Sequence, residues 1–149
     1  MAITTMKAKA TLKENVRVEV EARGHKVIID EPARLGGTDQ GMNPLELLLS
    51  SLGACQTIVA QMFAKQFDLQ YDQLWVELEG DIDTDGFLGK SDVRPGLLEL
   101  RYTIHIQSNE PKEKIEEFIR FVEAHCPAGD TIANPVRMVS SGVVIEKKQ

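Results

Sequence analysis

The chain has 149 residues, 42% of them hydrophobic and 27% charged, with 17 basic against 23 acidic side chains. Length and balance are those of one ordinary globular domain, so residues 1–149 are read as a single unit. The net charge of −6 argues against a protein that grips nucleic-acid phosphates through a basic face.

Met1 to Lys7 lack the apolar core of a secretory signal. The expected compartment is therefore the cytoplasm. There a permanent disulfide between the two cysteines, Cys55 and Cys126, is not expected, and any bond between them would be transient.

In chain order, residues 8–22 alternate, with Ala8, Ala10, Leu12, Val16, Val18 and Val20 on one side. This is strand patterning. Arg23-Gly24 reads as a turn, and 26–30 as a second strand. Residues 31–42 are a loop with Pro32, Gly36-Gly37 and Gly41. A helix starts at Asn43-Pro44: Asn suits the cap, Pro the first position, and Glu46 the positive end of the helix dipole. Leu45, Leu48, Leu49, Leu52, Cys55, Val59, Met62 and Phe63 keep helical spacing. This apolar tract approaches the length of a membrane span. Glu46, Ser50, Gln56 and Gln61 interrupt it, so it reads as a helix buried in a soluble protein with no membrane partner.

Residues 74–80 and 97–106 alternate and form a hairpin around a polar loop, 81–96. Pro111 opens a second helix through Ile115, Phe118, Ile119, Val122 and Cys126, and Pro127 stops it. Residues 131–134 read as a turn, helical at most, and 136–145 as a last strand. Strands, helix, strands, helix, strand make an α+β fold with two helices on antiparallel sheet.

The chemistry centres on sulfur. A cysteine on an apolar helix face is most often plain core filling, but the chain's only two cysteines lie on the stripes of its only two long helices. A nucleophilic thiolate and a resolving thiol suffice to reduce an O–O bond reversibly through a sulfenic acid and a disulfide. Cys55 is mid-helix, where the dipole helps little, so its thiolate needs a cation; Arg17, Arg23 and Arg34 precede it. Glu46 suits a first helical turn, and it would also serve to hold an arginine. It lies nine residues before Cys55, ~13.5 Å away along a helix and on roughly the opposite face. If both are catalytic, Glu46 comes from a second protomer, which predicts a dimer.

Other motifs carry less. Residues 81–92 match the start of a calcium loop, D-x-D-x-D-G, but Asp92 replaces the closing Glu and the flanks are strands. A solvated loop is the reading. His25, His105 and His125 lack metal-ligand spacing. His125 and Cys126 with Cys55 lack a fourth zinc ligand. No metal or bound cofactor is expected.

With these residues in view the chain resembles the OsmC/Ohr family of thiol-dependent peroxidases. The resemblance runs through Asp30-Glu31-Pro32, Leu35-Gly36-Gly37, Asn43-Pro44-Leu45-Glu46-Leu47-Leu48-Leu49, Gly53-Ala54-Cys55, His125-Cys126-Pro127 and Asn134-Pro135-Val136. It implies an intertwined homodimer with sites between protomers. It implies that Cys55 attacks an organic hydroperoxide, that Cys126 resolves the sulfenic acid, and that an external dithiol, lipoyl-type in several members, restores the thiols. It also implies an arginine that lowers the pKa of Cys55 and a glutamate that orients it. Arg23 is the choice for that arginine, Arg17 the runner-up, and Glu46 of the second protomer is the glutamate. Where the best characterised branches have Glu directly after Asn-Pro, this chain has Leu45, with Glu46 one residue later and rotated by about 100°. Two alternatives stay open: a binding protein for an apolar small molecule on the same scaffold, and a cysteine hydrolase with His125 as base.

Overall fold

The computed structural model describes residues 1–148. Strands β1 (Lys9–Glu14), β2 (Arg17–Ala22) and β3 (His25–Ile29) form an antiparallel meander in the order β1-β2-β3. The alternation over 8–22 is therefore two strands, not one. The chain reverses at Asn15, which takes the left-handed conformation at φ 52°, one that asparagine tolerates better than most residues. Alternation alone could not show this, because the parity of the apolar positions is kept across the turn. Arg23 (φ 53°) and Gly24 (φ 83°) are both left-handed, as a tight two-residue hairpin requires.

The loop after β3 is anchored by Asp30, a buried carboxylate. It accepts hydrogen bonds from the Glu31 N–H (2.8 Å), the Thr38 N–H and hydroxyl (3.1 and 2.6 Å) and the Gln40 N–H (3.2 Å). These donors, the Thr38 hydroxyl foremost, hold its pKa down at about 2.

Helix α1 (Pro44–Phe63) starts as the sequence indicates. Asn43 Oδ1 accepts from the Glu46 N–H and Glu46 Oε2 accepts from the Asn43 N–H, each at 2.8 Å, a reciprocal cap. A 3-10 turn, Ala64–Phe67, extends it. Residues 44–67 are long and apolar enough to cross a membrane by composition. In this structure α1 packs across β4 (Gln73–Ile82) and against α3 (Lys112–Ala124) and α4 (Pro127–Ala133). Gly53 permits the close approach: a Cβ there would lie 2.7 Å from Leu78 Cδ1. Of the expected stripe, Leu52 and Val59 are buried, while Leu48 and Met62 are exposed.

Strand β4 pairs with β5 (Leu97–Gln107) in the predicted antiparallel hairpin. The connecting segment is less of a loop than expected: β4 runs to Ile82, and a single helical turn, α2 (Thr84–Phe87), follows. The core is Val59, Ala60, Ala64, Leu69, Phe118 and Val122. Phe67 meets Phe118 edge-on at 5.3 Å.

The chain departs from expectation at two points beyond α3. Pro127 ends one helix and opens another, so the short turn expected at 131–134 is the end of α4. Proline fits both places, because the first helical position needs no N–H. The last strand expected over 136–145 is absent among the described residues. That segment is exposed and belongs to no helix or strand.

Candidate active site

Cys55 and Cys126 are both free. Cys55 sits at mid-length on α1, half-buried against the core. Cys126 is buried at the junction of α3 and α4, where its sulfur caps α4 by accepting from the Gly129 N–H at 3.4 Å. Cys126 lies 71 positions after Cys55, and the chain folds so that the two thiols are near each other. Burial, first, and then Cys55 raise the Cys126 pKa, and the N–H groups of Gly129 and Ala128 offset only part of this. Cys126 is thus a protonated thiol at neutral pH, suited to a second step and not to first attack.

A cavity of ≈ 430 Å³ opens beside Cys126, lined among others by Leu52, Gln56, Leu100, Tyr102 and Glu123. The Tyr102 hydroxyl donates to Glu123 Oε1 at 2.9 Å. Burial raises the Tyr102 pKa, and Glu123 adds to it, so the phenol is a neutral donor at working pH. Gln56, the residue after Cys55, is 2% exposed, and its Oε1 has no hydrogen-bond partner. Reasoning from the sequence alone missed Gln56, Tyr102 and Glu123. Two signals were there: a lone amide inside the apolar run of α1, and a tyrosine at the inward parity of β5 beside Leu100, Ile104 and Ile106.

The other predicted site residues lie elsewhere in the protomer. Arg17 donates to Gln40 Oε1 at 2.8 Å and pairs with Glu14. Arg23 is exposed in the β2–β3 turn and Arg34 in the 3-10 turn Ala33–Leu35. Glu46 is engaged in the α1 cap. None of the four hydrogen-bonds to either sulfur among the described residues. His125 Nδ1 donates to the Phe121 carbonyl at 2.8 Å, and its ring stacks on Phe121 at 3.9 Å. In the calcium-like segment, Asp81 is taken by Arg101 at 2.6 Å and Asp83 caps α2 through the Asp85 N–H.

The family model for OsmC-like proteins matches residues 37–141, and the chain belongs to that family. A curated hydroperoxide reductase of Mycoplasma pneumoniae is 30% identical over 126 residues, covering 83% of each chain. The crystal structure of an OsmC-like protein from Mycoplasma pneumoniae superposes with a TM-score of 0.78 at 26% identity, over 89% of both chains. An organic hydroperoxide resistance protein from Legionella pneumophila shares the fold at 21% identity, with a TM-score of 0.63 over 89% of this chain and 91% of that one. The α+β architecture of antiparallel sheets and helices is that of these proteins.

Proposed function

We propose that the protein is a cytoplasmic, homodimeric, thiol-dependent peroxidase that reduces organic hydroperoxides. The observation that carries this is the meeting of Cys55 and Cys126, from separate helices, beside a cavity. Its support is the name hydroperoxide reductase borne by the curated relative.

The Cys55 thiolate attacks the terminal oxygen of ROOH. The O–O bond breaks, RO⁻ takes a proton and leaves as ROH, and Cys55 becomes a sulfenic acid. The Cys126 sulfur then attacks the Cys55 sulfur. An S–S bond forms, the S–O bond breaks, and the hydroxyl leaves as water with the proton from Cys126. A dithiol, lipoyl-type in this reading, reduces the disulfide by exchange and is itself oxidised to a disulfide. The raised pKa of Cys126 keeps it in reserve until the sulfenic acid is beside it.

The cation for Cys55 comes from Arg23, with Arg17 as second choice, and Glu46 positions it; within one protomer neither reaches the sulfurs, so a partner subunit supplies them. Two surfaces of this chain suit such a partner. The outer stripe of α1 leaves Ile58 and Met62 exposed at 58% and 69%, and the tail leaves Val143, Val144 and Ile145 exposed. Apolar patches of this kind mark association surfaces.

The test is cumene hydroperoxide consumption with excess dihydrolipoamide, comparing wild type with Cys55→Ser. Loss of turnover in the variant is expected. Equal rates would remove the peroxidase reading and leave that of a binding protein.

A further inference from the structure

We infer that Tyr102 and Glu123 carry the proton of Cys126 through the disulfide-forming step. The inference rests on the peroxidase reading and concerns its second half, in which the Cys126 sulfur is the attacking atom.

The placement comes from three elements. Cys126 follows Glu123 by three residues at the end of α3, and its N–H donates to the Glu123 carbonyl at 3.5 Å. Side chains at that spacing are neighbours on a helix. Tyr102, from β5, donates its hydroxyl to Glu123 Oε1 at 2.9 Å. Tyr102, Glu123 and Cys126 line one cavity, and Tyr102 is near enough to Cys126 to feel the charge of its thiolate. The Tyr102 hydroxyl gives its own proton to Glu123, so its oxygen is free to accept another. Gln56, from α1, closes the group. It is 2% exposed, lies against the same hydroxyl, and its Oε1 has no donor. A buried acceptor left open at this point has a use if a proton or a water passes it.

Cys126 needs such a path. Burial keeps it a thiol, and a thiol must shed its proton as the sulfur attacks. The other titratable groups around it are occupied. Cys55 on α1 is the reaction partner, Asp130 on α4 accepts from the Asn134 amide at 2.9 Å, and His125 Nδ1 is taken by the Phe121 carbonyl. No lysine, arginine or histidine lines the cavity among the described residues. In the step, the Cys126 proton passes to the Tyr102 oxygen while the Tyr102 proton passes to Glu123. The Cys126 sulfur bonds to the Cys55 sulfur, and the S–O bond breaks. The departing hydroxide takes a proton back along the same path and leaves as water. Thiol and sulfenic acid become disulfide and water, and Tyr102 and Glu123 end as they began.

The experiment is a single turnover of the full chain with one equivalent of cumene hydroperoxide. Peroxide loss times the first step. Samples quenched with dimedone and read by mass spectrometry time the decay of the Cys55 sulfenic acid, which is the second. In wild type the second step should vary little between about pH 6 and pH 8. Glu123→Gln keeps an acceptor for the Tyr102 hydroxyl but supplies no base. In it the second step should slow relative to the first by on the order of a hundredfold. Its rate should also climb about tenfold per pH unit, because thiolate must then form by loss of the proton to solution. Tyr102→Phe should behave in the same way. A tie that only fixes α3 to the sheet would survive Glu123→Gln and leave the profile flat. A second step unchanged in Glu123→Gln overturns the inference. So does a wild type whose own second step climbs about tenfold per pH unit, and that profile decides the matter even if the variants fail to fold. No loss of peroxide in wild type overturns the peroxidase reading, and this inference with it.

Discussion

The centre of the molecule closes around its own apolar side chains, whereas its outer segments do not. Phe118, on α3, is 0% exposed; Ile145, in the tail, is 89% exposed. Both come from sequence with clear apolar patterning, helical in one case and alternating in the other. The difference lies in the partner. α3 finds α1 and the 3-10 turn after it within the chain, while the tail has no strand beside it among the described residues. A β-pattern with no edge to pair with and a half-covered α1 are the two surfaces that the proposed homodimer would cover.

Removing residues after Pro135 should break this contrast most severely. Each buried Val or Ile contributes ~1.5 kcal/mol or more, and the tail holds Val136, Val139, Val143, Val144 and Ile145. Light scattering should show a dimer for the full chain and a monomer for the shortened one. A monomeric full chain would show that the two regions do not differ in the way described. Phe118→Ala should act on the other side, costing about 3–5 kcal/mol in denaturant unfolding, because the centre cannot borrow packing from a partner.

Asp30 lies at the seam between the meander and α1, so its loss probes how the two are joined. Its folded pKa is lowered from 3.8 to about 2. Its contribution is therefore present above pH 3.8 and disappears as the pH falls toward 2. In Asp30→Asn the melting temperature should be lower at neutral pH, and the acid-dependent loss between pH 4 and 2 should be smaller. A variant that melts like wild type at neutral pH would show that the loop does not need this anchor. The smallest effect belongs to the start of α1: Asn43→Ala should cost about 1 kcal/mol, measured by denaturant unfolding. Glu46→Gln keeps an acceptor for the Asn43 N–H and removes the charge. It should leave stability nearly unchanged and lower kcat/KM if Glu46 positions an arginine; unchanged kcat/KM would leave Glu46 as a cap alone.

Much of the centre was legible in the sequence. The α1 start follows from Asn43, Pro44 and Glu46, α3 from Ile115, Phe118, Ile119 and Val122, and the β4–β5 hairpin from strict alternation. The errors arose where one residue serves two ends or a pattern lacks its complement. Asn15 reverses the chain without disturbing parity, Pro127 both stops and starts a helix, and 136–145 reads as a strand although no neighbour lies beside it. The site was partly legible for the same reason. Two cysteines on two stripes pointed to each other, but Tyr102 and Glu123 meet Gln56 only through tertiary packing, which no local spacing encodes.

The central claim is that Cys55 and Cys126 act on each other. The direct measurement is mass spectrometry of the reduced protein before and after one equivalent of cumene hydroperoxide, followed by peptide mapping without reductant. The account predicts a mass lower by two hydrogen atoms and a single cross-linked peptide pair joining Cys55 to Cys126, reversed by dihydrolipoamide. Two thiols still free after the peroxide has been offered, or separate oxidation of each sulfur with no bond between them, would contradict it.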